Sequence, residues 1–341
     1  LVALVAGFGG WHFLWSSKVE KIGLMAQAKP SIVVLPFENL NRDPKEDYFS
    51  DGITNDIITD LSKFTDLLVI ASNSVRGYKG RNVSVEEVSR KLGVRYILEG
   101  SIQRAGDRVR INAQLVDGVS GQHLWAERYD EATEDIFALQ DKITRSIVST
   151  LAVRLTDAER KRTSSKPTHD LRAYDFVMRG RQLQFRQQRS ANFEAREMFR
   201  KAIKRDSEYA DAYTGLGDAY FDGIFYGWTG TPGADIERIN SLAQQAIAID
   251  GNNASGHTLL GQVYLNNRKY DLALVALERA IALNPNDAGT HATQGVVLVY
   301  SGYPEGAILS LETAQRFDPI ISPWRSTHLG LAYYLKRRYD D

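Results

Sequence analysis

The sequence predicts an α/β domain built on a mixed sheet, followed by an all-α superhelix of paired helices. Three observations lead there. Between Ser31 and Leu155, β-branched runs alternate with amphipathic segments, the pattern of strands and helices that share a core. From Arg172 to Asp341 small residues recur at a fixed interval: Gly261 and Gly295, Ala273 and Ala307, Ala280 and Ala314, and Pro285 and Pro319 are each 34 apart, the spacing of a helix-pair repeat. Ahead of both lies Leu1–Trp15, LVALVAGFGGWHFLW, which contains no Asp, Glu, Lys or Arg.

That apolar stretch is shorter than the about 20 residues a membrane-spanning helix needs. It is expected to be the C-terminal part of a transmembrane helix, residues 1–15, with Trp11 and Trp15 in an interfacial aromatic belt. A signal-peptide core cleaved after Ala26-Gln27-Ala28 is disfavoured, because the polar stretch from Ser16 to Gly23 holds that triplet too far from the apolar run. Residues 16–29 then form a linker. Composition otherwise excludes more than it suggests. Lys and Arg number 42, as do Asp and Glu, so no whole-chain attraction to nucleic acid or an anionic surface follows. With no cysteine, disulfides, thiolate metal sites and cysteine nucleophiles are excluded.

The α/β domain is expected over residues 30–157. It opens with SIVVLP, a β-branched run closed by Pro36, passes through a polar loop, and enters a helix carrying Ile53, Ile57, Leu61 and Phe64 at helical steps. Asp51 is read as that helix's cap. Leu67–Ala71 reads as a second buried strand. Ser84-Val85-Glu86-Glu87 matches a capping box, in which Ser84 accepts from an orphan amide and Glu87 reaches back to the cap. Val85, Val88 and Leu92 supply the apolar stripe and Gly93 the left-handed stop. Arg95–Arg104 and Arg108–Asp117 form a hairpin around Ala105-Gly106-Asp107. In its second arm Val109, Ile111, Ala113 and Leu115 alternate with Arg108, Arg110, Asn112 and Gln114, so one face is wet. Gln122–Tyr129 is a further strand, and Thr133 opens a long helix whose Ile136, Leu139, Ile143, Ile147, Leu151 and Leu155 step by three or four. The order is βαβαβββα.

Taken together, SIVVLPFENL, DYFSDGITNDIITDLS, LGVRYILEGSIQRAGDRVRINAQLVDGVSGQHLWAERYD and DIFALQDKI resemble the TolB amino-terminal-like domain of bacterial membrane-anchored signalling proteins. The resemblance covers nearly all of residues 31–155. It implies a TolB N-terminal-like α/β fold that follows a transmembrane helix and precedes tetratricopeptide repeats. It also implies an output module upstream, often a class III adenylate or guanylate cyclase and sometimes a winged-helix domain.

After a linker at 158–171, residues 172–341 are read as tetratricopeptide repeats. Leu260-Gly261-Gln262-Val263-Tyr264 carries the first-helix pattern, and each helix pair leaves an apolar face that only a neighbour can cover. Repeats are expected at about 173–209, 210–253, 254–287, 288–321 and 322–341. The first is degenerate, with Gly180, Ala195, Phe199 and Ala202 in place, and the last is cut off in mid-repeat at Asp341. Gly223–Gly233, GIFYGWTGTPG, is expected to lengthen one turn by about ten residues.

Asp43, Glu46, Asp47 and Asp51 crowd the first loop, while Asp56 and Asp60 share a helix face. Such carboxylates suit a hard cation, but a helix cap and a solvated face account for them more simply. Ser50 lacks a G-x-S-x-G setting, and the six histidines show no paired ligand spacing. His257 and His291 fall 34 apart and are read as repeat-packing residues. No catalytic, cofactor-binding or metal residue is assigned. Between Glu159 and Arg205 stand 14 Lys or Arg against 5 Asp or Glu, read as solvated helix faces, with anionic lipid as the alternative. The binding candidates lie in the repeats. Family positions that line the concave groove fall on Asp218, Asp222, Thr258, Gln262, Asn266, Tyr300 and Tyr334, a lining suited to a peptide. In the insertion, Phe225, Tyr226 and Trp228 join Phe221 either as partner anchors or, the reading favoured, as core folded back over the superhelix.

The order of anchor, TolB-like domain and repeats leads to one functional expectation. It is a non-catalytic sensory and scaffold region of a membrane-anchored bacterial signalling protein, foremost an adenylate or guanylate cyclase with its catalytic domain upstream of Leu1. The alternatives are the same region of a membrane-anchored winged-helix transcription regulator, or a stand-alone peptide-binding adaptor. Expected partners are a protein or peptide in the groove, the membrane at residues 1–15, a second copy through the full-length parent, and no nucleic acid. The resemblance implies an inner-membrane location with residues 30–341 extracytoplasmic. Lys18, Lys21 and Lys29 pull the other way under the positive-inside tendency.

Overall fold

The computed structural model describes residues 29–81, 83–153, 156, 159, 167–320 and 322–336. The anchor at 1–15, most of the linker at 16–29 and part of that at 158–171 lie outside the described residues.

Six strands form one mixed sheet. β1 (Ser31–Val34) lies between β3 (Leu68–Val69) and β4 (Tyr96–Ala105), parallel to both. β4, β5 (Arg108–Asp117) and β6 (His123–Ala132) continue antiparallel, and the short β2 (Glu38–Asn39) runs parallel to β4. All four residues of β1 are buried, as a strand covered on both faces requires. On one face α1 (Asp47–Ser62) and α3 (Ile136–Thr150) bring Ile53, Ile57, Ile143 and Ile147 onto Ile32, Leu98, Ile111 and Leu115. On the other, α2 (Val85–Leu92) sets Val88 against Val33, Ile70 and Ile97. The expected strand and helix order holds, with β2 added.

Two local readings need correction. Asp51 does not cap α1. The 3-10 turn Pro44–Glu46, itself capped by Asp43, feeds directly into a helix that begins at Asp47, so Asp51 sits one turn inside and its carboxylate takes Lys79 Nζ at 2.6 Å. The capping box on α2 is only half made. Ser84 Oγ accepts from the Glu87 amide at 3.3 Å and Gly93 ends the helix at φ +66°, but the Glu87 carboxylate turns to Lys91, 2.5 Å away. An i,i+4 ion pair has won over the return bond to the cap.

The array consists of antiparallel pairs: α4 (Leu171–Gln184) with α5 (Arg189–Arg205), α6 (Ala210–Phe225) with α7 (Pro232–Ile249), α8 (Ala254–Asn266) with α9 (Tyr270–Leu283), and α10 (Ala288–Tyr300) with α11 (Pro304–Phe317). α12 (Pro323–Leu335) follows. The fold shows why the repeat needs its glycines. A Cβ on Gly261 would lie 2.6 Å from the Leu277 side chain, and one on Gly295 2.5 Å from that of Leu311. Each second-helix leucine fills the notch its first-helix glycine leaves. In the first repeat Phe199 fills two such notches, at Gly180 and Gly215. The insertion is not mainly a longer turn. It lengthens the helices themselves: α6 and α7 have 16 and 18 residues, against 13 and 14 in α8 and α9.

One apolar cluster runs without interruption from Ile32 in the sheet to Val263 in α8. The domain and the proximal repeats therefore share a core. α1 lies so close to α4 that a Cβ on Gly52 would collide with Met178 Sδ. Beyond α8 the clusters are smaller and separate, and the curving array returns to the sheet domain.

Candidate binding chamber

Two junctions hold the array against the sheet domain. The proximal one centres on Asp56 of α1, whose carboxylate accepts from the Tyr174 hydroxyl, from Gln140 Nε2 at 3.1 Å and from Arg181 Nη1 at 3.0 Å. Arg181 Nη2 also donates to Asp211 at 3.0 Å, and Asp211 accepts from Asn253 Nδ2 at 2.9 Å. Burial pushes the Asp56 carboxyl up, while the carboxylates of Asp211 and Asp56 hold the Arg181 charge in place against burial. These tendencies conflict over whether Asp56 is ionised. Arg181 and Gln140 can only donate to it, and the Tyr174 hydroxyl donates to it while accepting from Gln140 Nε2 at 2.9 Å, a set of donors that favours the carboxylate.

The distal junction is a clip. Asn286, only 4% exposed, donates from Nδ2 to Ser62 O at 3.0 Å and Phe64 O at 2.9 Å, and its Oδ1 accepts from the Val69 amide at 3.3 Å. Ser74 Oγ donates to Asp318 Oδ1 at 2.5 Å, and the Ala71 amide to Phe317 O at 2.7 Å. Edge strand β3 and the end of α1 are thus tied to turns two and three repeats away from α4.

Between the junctions lies a chamber of about 1680 Å³. Asp218, Asp222, Gln262 and Tyr300 line it, as do Phe225, Tyr226 and Trp228 of the insertion. Thr258, Asn266 and Tyr334 stand apart from it. The Thr258 hydroxyl pairs with that of Thr290 at 2.7 Å, Asn266 is exposed at the end of α8, and Tyr334 is 62% exposed on α12. Of the insertion aromatics, Phe221 packs against the core as expected, but Phe225 and Tyr226 do not fold back onto it. Phe225 and Tyr226 are 52% and 41% exposed, Tyr226 stacks on Trp228 at 4.7 Å, and Phe225 meets Tyr226 edge-on at 5.0 Å. They stand at and just beyond the C-terminal end of the lengthened α6, in the chamber wall.

Asp218 and Asp222 project from one face of α6. Burial, then the negative charges of Asp222 and Asp287, push the Asp218 carboxyl up to about 8. Burial raises Asp222 to about 6, against the opposing pull of the Gln184 amide and Arg196. Asp218 is exposed to the open volume of the chamber although protein encloses that volume. The upward direction follows from the enclosure, and chamber water moderates its extent.

The basic stretch is not simply a solvated face. Arg181 holds the proximal junction, and Arg179 lies over the Tyr48 ring at 4.1 Å. Arg196, 6% exposed, covers the Tyr220 ring at 4.3 Å and donates to Ala219 O at 3.0 Å. Nor is Asp56 a solvated acid, since the junction closes over it. Sequence reasoning missed Arg181, Asn286 and Asp318. Nothing in the spacing marks Asn286, since its counterpart 34 residues earlier, Asn252, is exposed and accepts from Arg279 instead. His257 and His291 do act alike: their Nε2 atoms lie 3.2 and 3.0 Å from the carbonyls of Gly251 and Pro285. Among the described residues no group of three His, Asp or Glu could hold a metal ion, and no helix is long and apolar enough to cross a membrane.

Comparison with known proteins adds family context. Residues 27–146 match the family described as HilA/YgeH-like transcriptional regulator, second domain, and residues 187–223 and 254–287 match tetratricopeptide repeat families. The putative adenylate cyclase 3 of Rhizobium meliloti (strain 1021) is 46% identical over 246 residues, 72% of this chain and 42% of that protein. The chain thus spans less than half the length of this curated relative. Among solved structures, TTC0263, a thermophilic TPR protein in Thermus thermophilus, is 17% identical with a TM-score of 0.39, covering 58% of this chain and 93% of its own. TolB from Acinetobacter baumannii is 20% identical with a TM-score of 0.29, covering 36% and 28%. The helical half of the chain is thus a tetratricopeptide-like superhelix of paired antiparallel helices, with two of its repeats matched by tetratricopeptide family models.

Proposed function

We propose that this chain is the partner-binding scaffold region of a bacterial signal-output protein, in which a tetratricopeptide array and an α/β domain enclose a binding chamber. The observation that carries the reading is the chamber itself, about 1680 Å³ between the two halves, larger than the roughly 300–1,000 Å³ of small-molecule pockets and suited to a peptide. Of the outputs, transcription regulation has the closer support, because the family matched by residues 27–146 is described as part of a transcriptional regulator. A cyclase output is the second reading, favoured by the 46% identity to the putative adenylate cyclase 3. Attachment to the inner membrane through residues 1–15, with residues 30–341 extracytoplasmic, belongs to the same proposal.

The reading frame ahead of the codon for Leu1 tests the output. A winged-helix domain there supports the first reading and a class III cyclase domain the second. An initiator codon a few residues upstream overturns both in favour of a stand-alone adaptor. Cyclic AMP production from ATP by the purified chain, above a heat-killed control, would overturn the scaffold assignment. Strong cytoplasmic activity of a reporter fused after Asp341 would contradict the extracytoplasmic placement.

A further inference from the structure

We infer that the chamber receives a basic peptide, holding a lysine or arginine side chain between Asp218 and Asp222 with its aliphatic stem against the Tyr226–Trp228 stack. The inference rests on the partner-binding reading and supplies the chemistry of the partner.

Four observations converge on it. Among the described residues Asp218 has no hydrogen-bond or ion-pair partner, and Asp222 has only the Gln184 amide, at 3.4 Å. The two carboxylates open onto the chamber rather than into the core, and their concentrated negative field inside a walled volume favours a cation brought from outside. The nearby cations are already engaged: Arg181 by Asp56 and Asp211, Lys63 by Asp60 at 2.7 Å, and Arg196 by Ala219 O. Asp287, which faces the pair from the start of α10, adds to the negative field while capping that helix. The stacked Tyr226 and Trp228 at the end of α6 offer a π-face to a guanidinium or ammonium and an apolar surface to its stem. Finally, part-exposed Gln262 of α8 lines the same chamber and places a side-chain amide among its walls. A side-chain amide both donates and accepts, which suits a peptide backbone. An acidic peptide would meet like charge at the same place.

Both carboxyls are held above the usual carboxylate range, so an incoming cation expels protons and binding tightens as pH rises. The groups that face the pair and set this response are Arg181 from α4, Arg196 from α5, Asp211 on α6 and Asp287 ahead of α10.

The test uses the full chain and three fluorescein-labelled peptides of one length, bearing two lysines and an arginine, their uncharged analogues norleucine and citrulline, or glutamates in their place. Fluorescence anisotropy at about 0.15 M salt, where long-range attraction is screened, should show saturable binding of the basic peptide. Binding should be about tenfold or more weaker for the uncharged one, and the basic peptide should tighten between pH 5.5 and 8.5. The Asp218→Asn/Asp222→Asn double variant should lose about tenfold or more and its pH dependence, and Trp228→Leu several-fold. Asp107→Asn, in the exposed β4–β5 turn, should bind as the parent does, and circular dichroism establishes that each variant is folded. Equal affinity for basic and uncharged peptides, or a double variant that binds like the parent, overturns the inference. Preference for the glutamate peptide overturns it too but leaves the partner-binding reading standing. Failure of all three peptides to bind counts against both.

Discussion

The two junctions between the sheet domain and the helical array are made of different materials. Where α1 meets α4 the apolar cluster is continuous, and the Asp56, Arg181 and Asp211 network sits on its border. Where the array returns to β3, contact rests on hydrogen bonds from Asn286, Ser74 and Ala71, and no apolar cluster among the described residues bridges the gap. Apolar burial is proportional to area and tolerant of small shifts, whereas hydrogen bonds weaken steeply when their geometry is lost. The array is therefore hinged to the domain at its start and latched to it further on. The chamber should then open from the latched side first.

Phe199→Ala attacks the shared core and should have the largest effect, about 3–5 kcal/mol of stability in urea unfolding. Leu311→Ala, in the distal repeats, should instead release an early separate transition that leaves the sheet domain intact. A single coincident transition for both variants would abolish the distinction between the two regions. Arg181→Ala should cost about 1–3 kcal/mol, less than a fully buried pair because chamber water reaches it. Adding Asp56→Asn should restore part of that loss, and strict additivity would show that the two residues are not coupled.

Asn286→Ala strips the latch and should cost about 1–2 kcal/mol. Hydrogen exchange should then speed up at Val69 while remaining unchanged in α4, and the radius of gyration from X-ray scattering should rise. Equal acceleration in α4 would contradict a latch independent of the hinge. The chamber acids give a pH signature of defined sign. Their folded-state pKa values lie above the unfolded ones, so the folded form holds more protons, and their contribution to stability falls as pH rises from about 4 to about 8. In the difference between parent and Asp218→Asn that downward slope should appear, and a difference independent of pH would refute it. Lys79→Ala, which removes a half-exposed ion pair from Asp51, should shift stability by no more than about 1 kcal/mol.

The strand and helix order and the hairpin at Gly106 could be read from the sequence because each is set by residues within a turn or two of one another, and the 34-residue repeat because each glycine notch and its leucine recur within one helix pair. Asp51 falls inside the helix because the turn at Pro44–Glu46 starts it four residues earlier, and Glu87 leaves the cap because Lys91, one turn on, competes for its carboxylate. Asp218, Asp222, Gln262 and Tyr300 stand at groove positions in the sequence and line the chamber, because repeat spacing puts them on the inner side of each first helix. Arg181, Asn286 and Asp318 gave no such signal. Their partners Asp56, Ser62 and Ser74 lie 125, 224 and 244 residues away. Periodicity specifies how one repeat packs on the next, so the sequence by itself determined the elements and the array. The small rotation at each repeat accumulates along the superhelix, and only the tertiary structure decided that Asn286 arrives at β3 and closes a chamber.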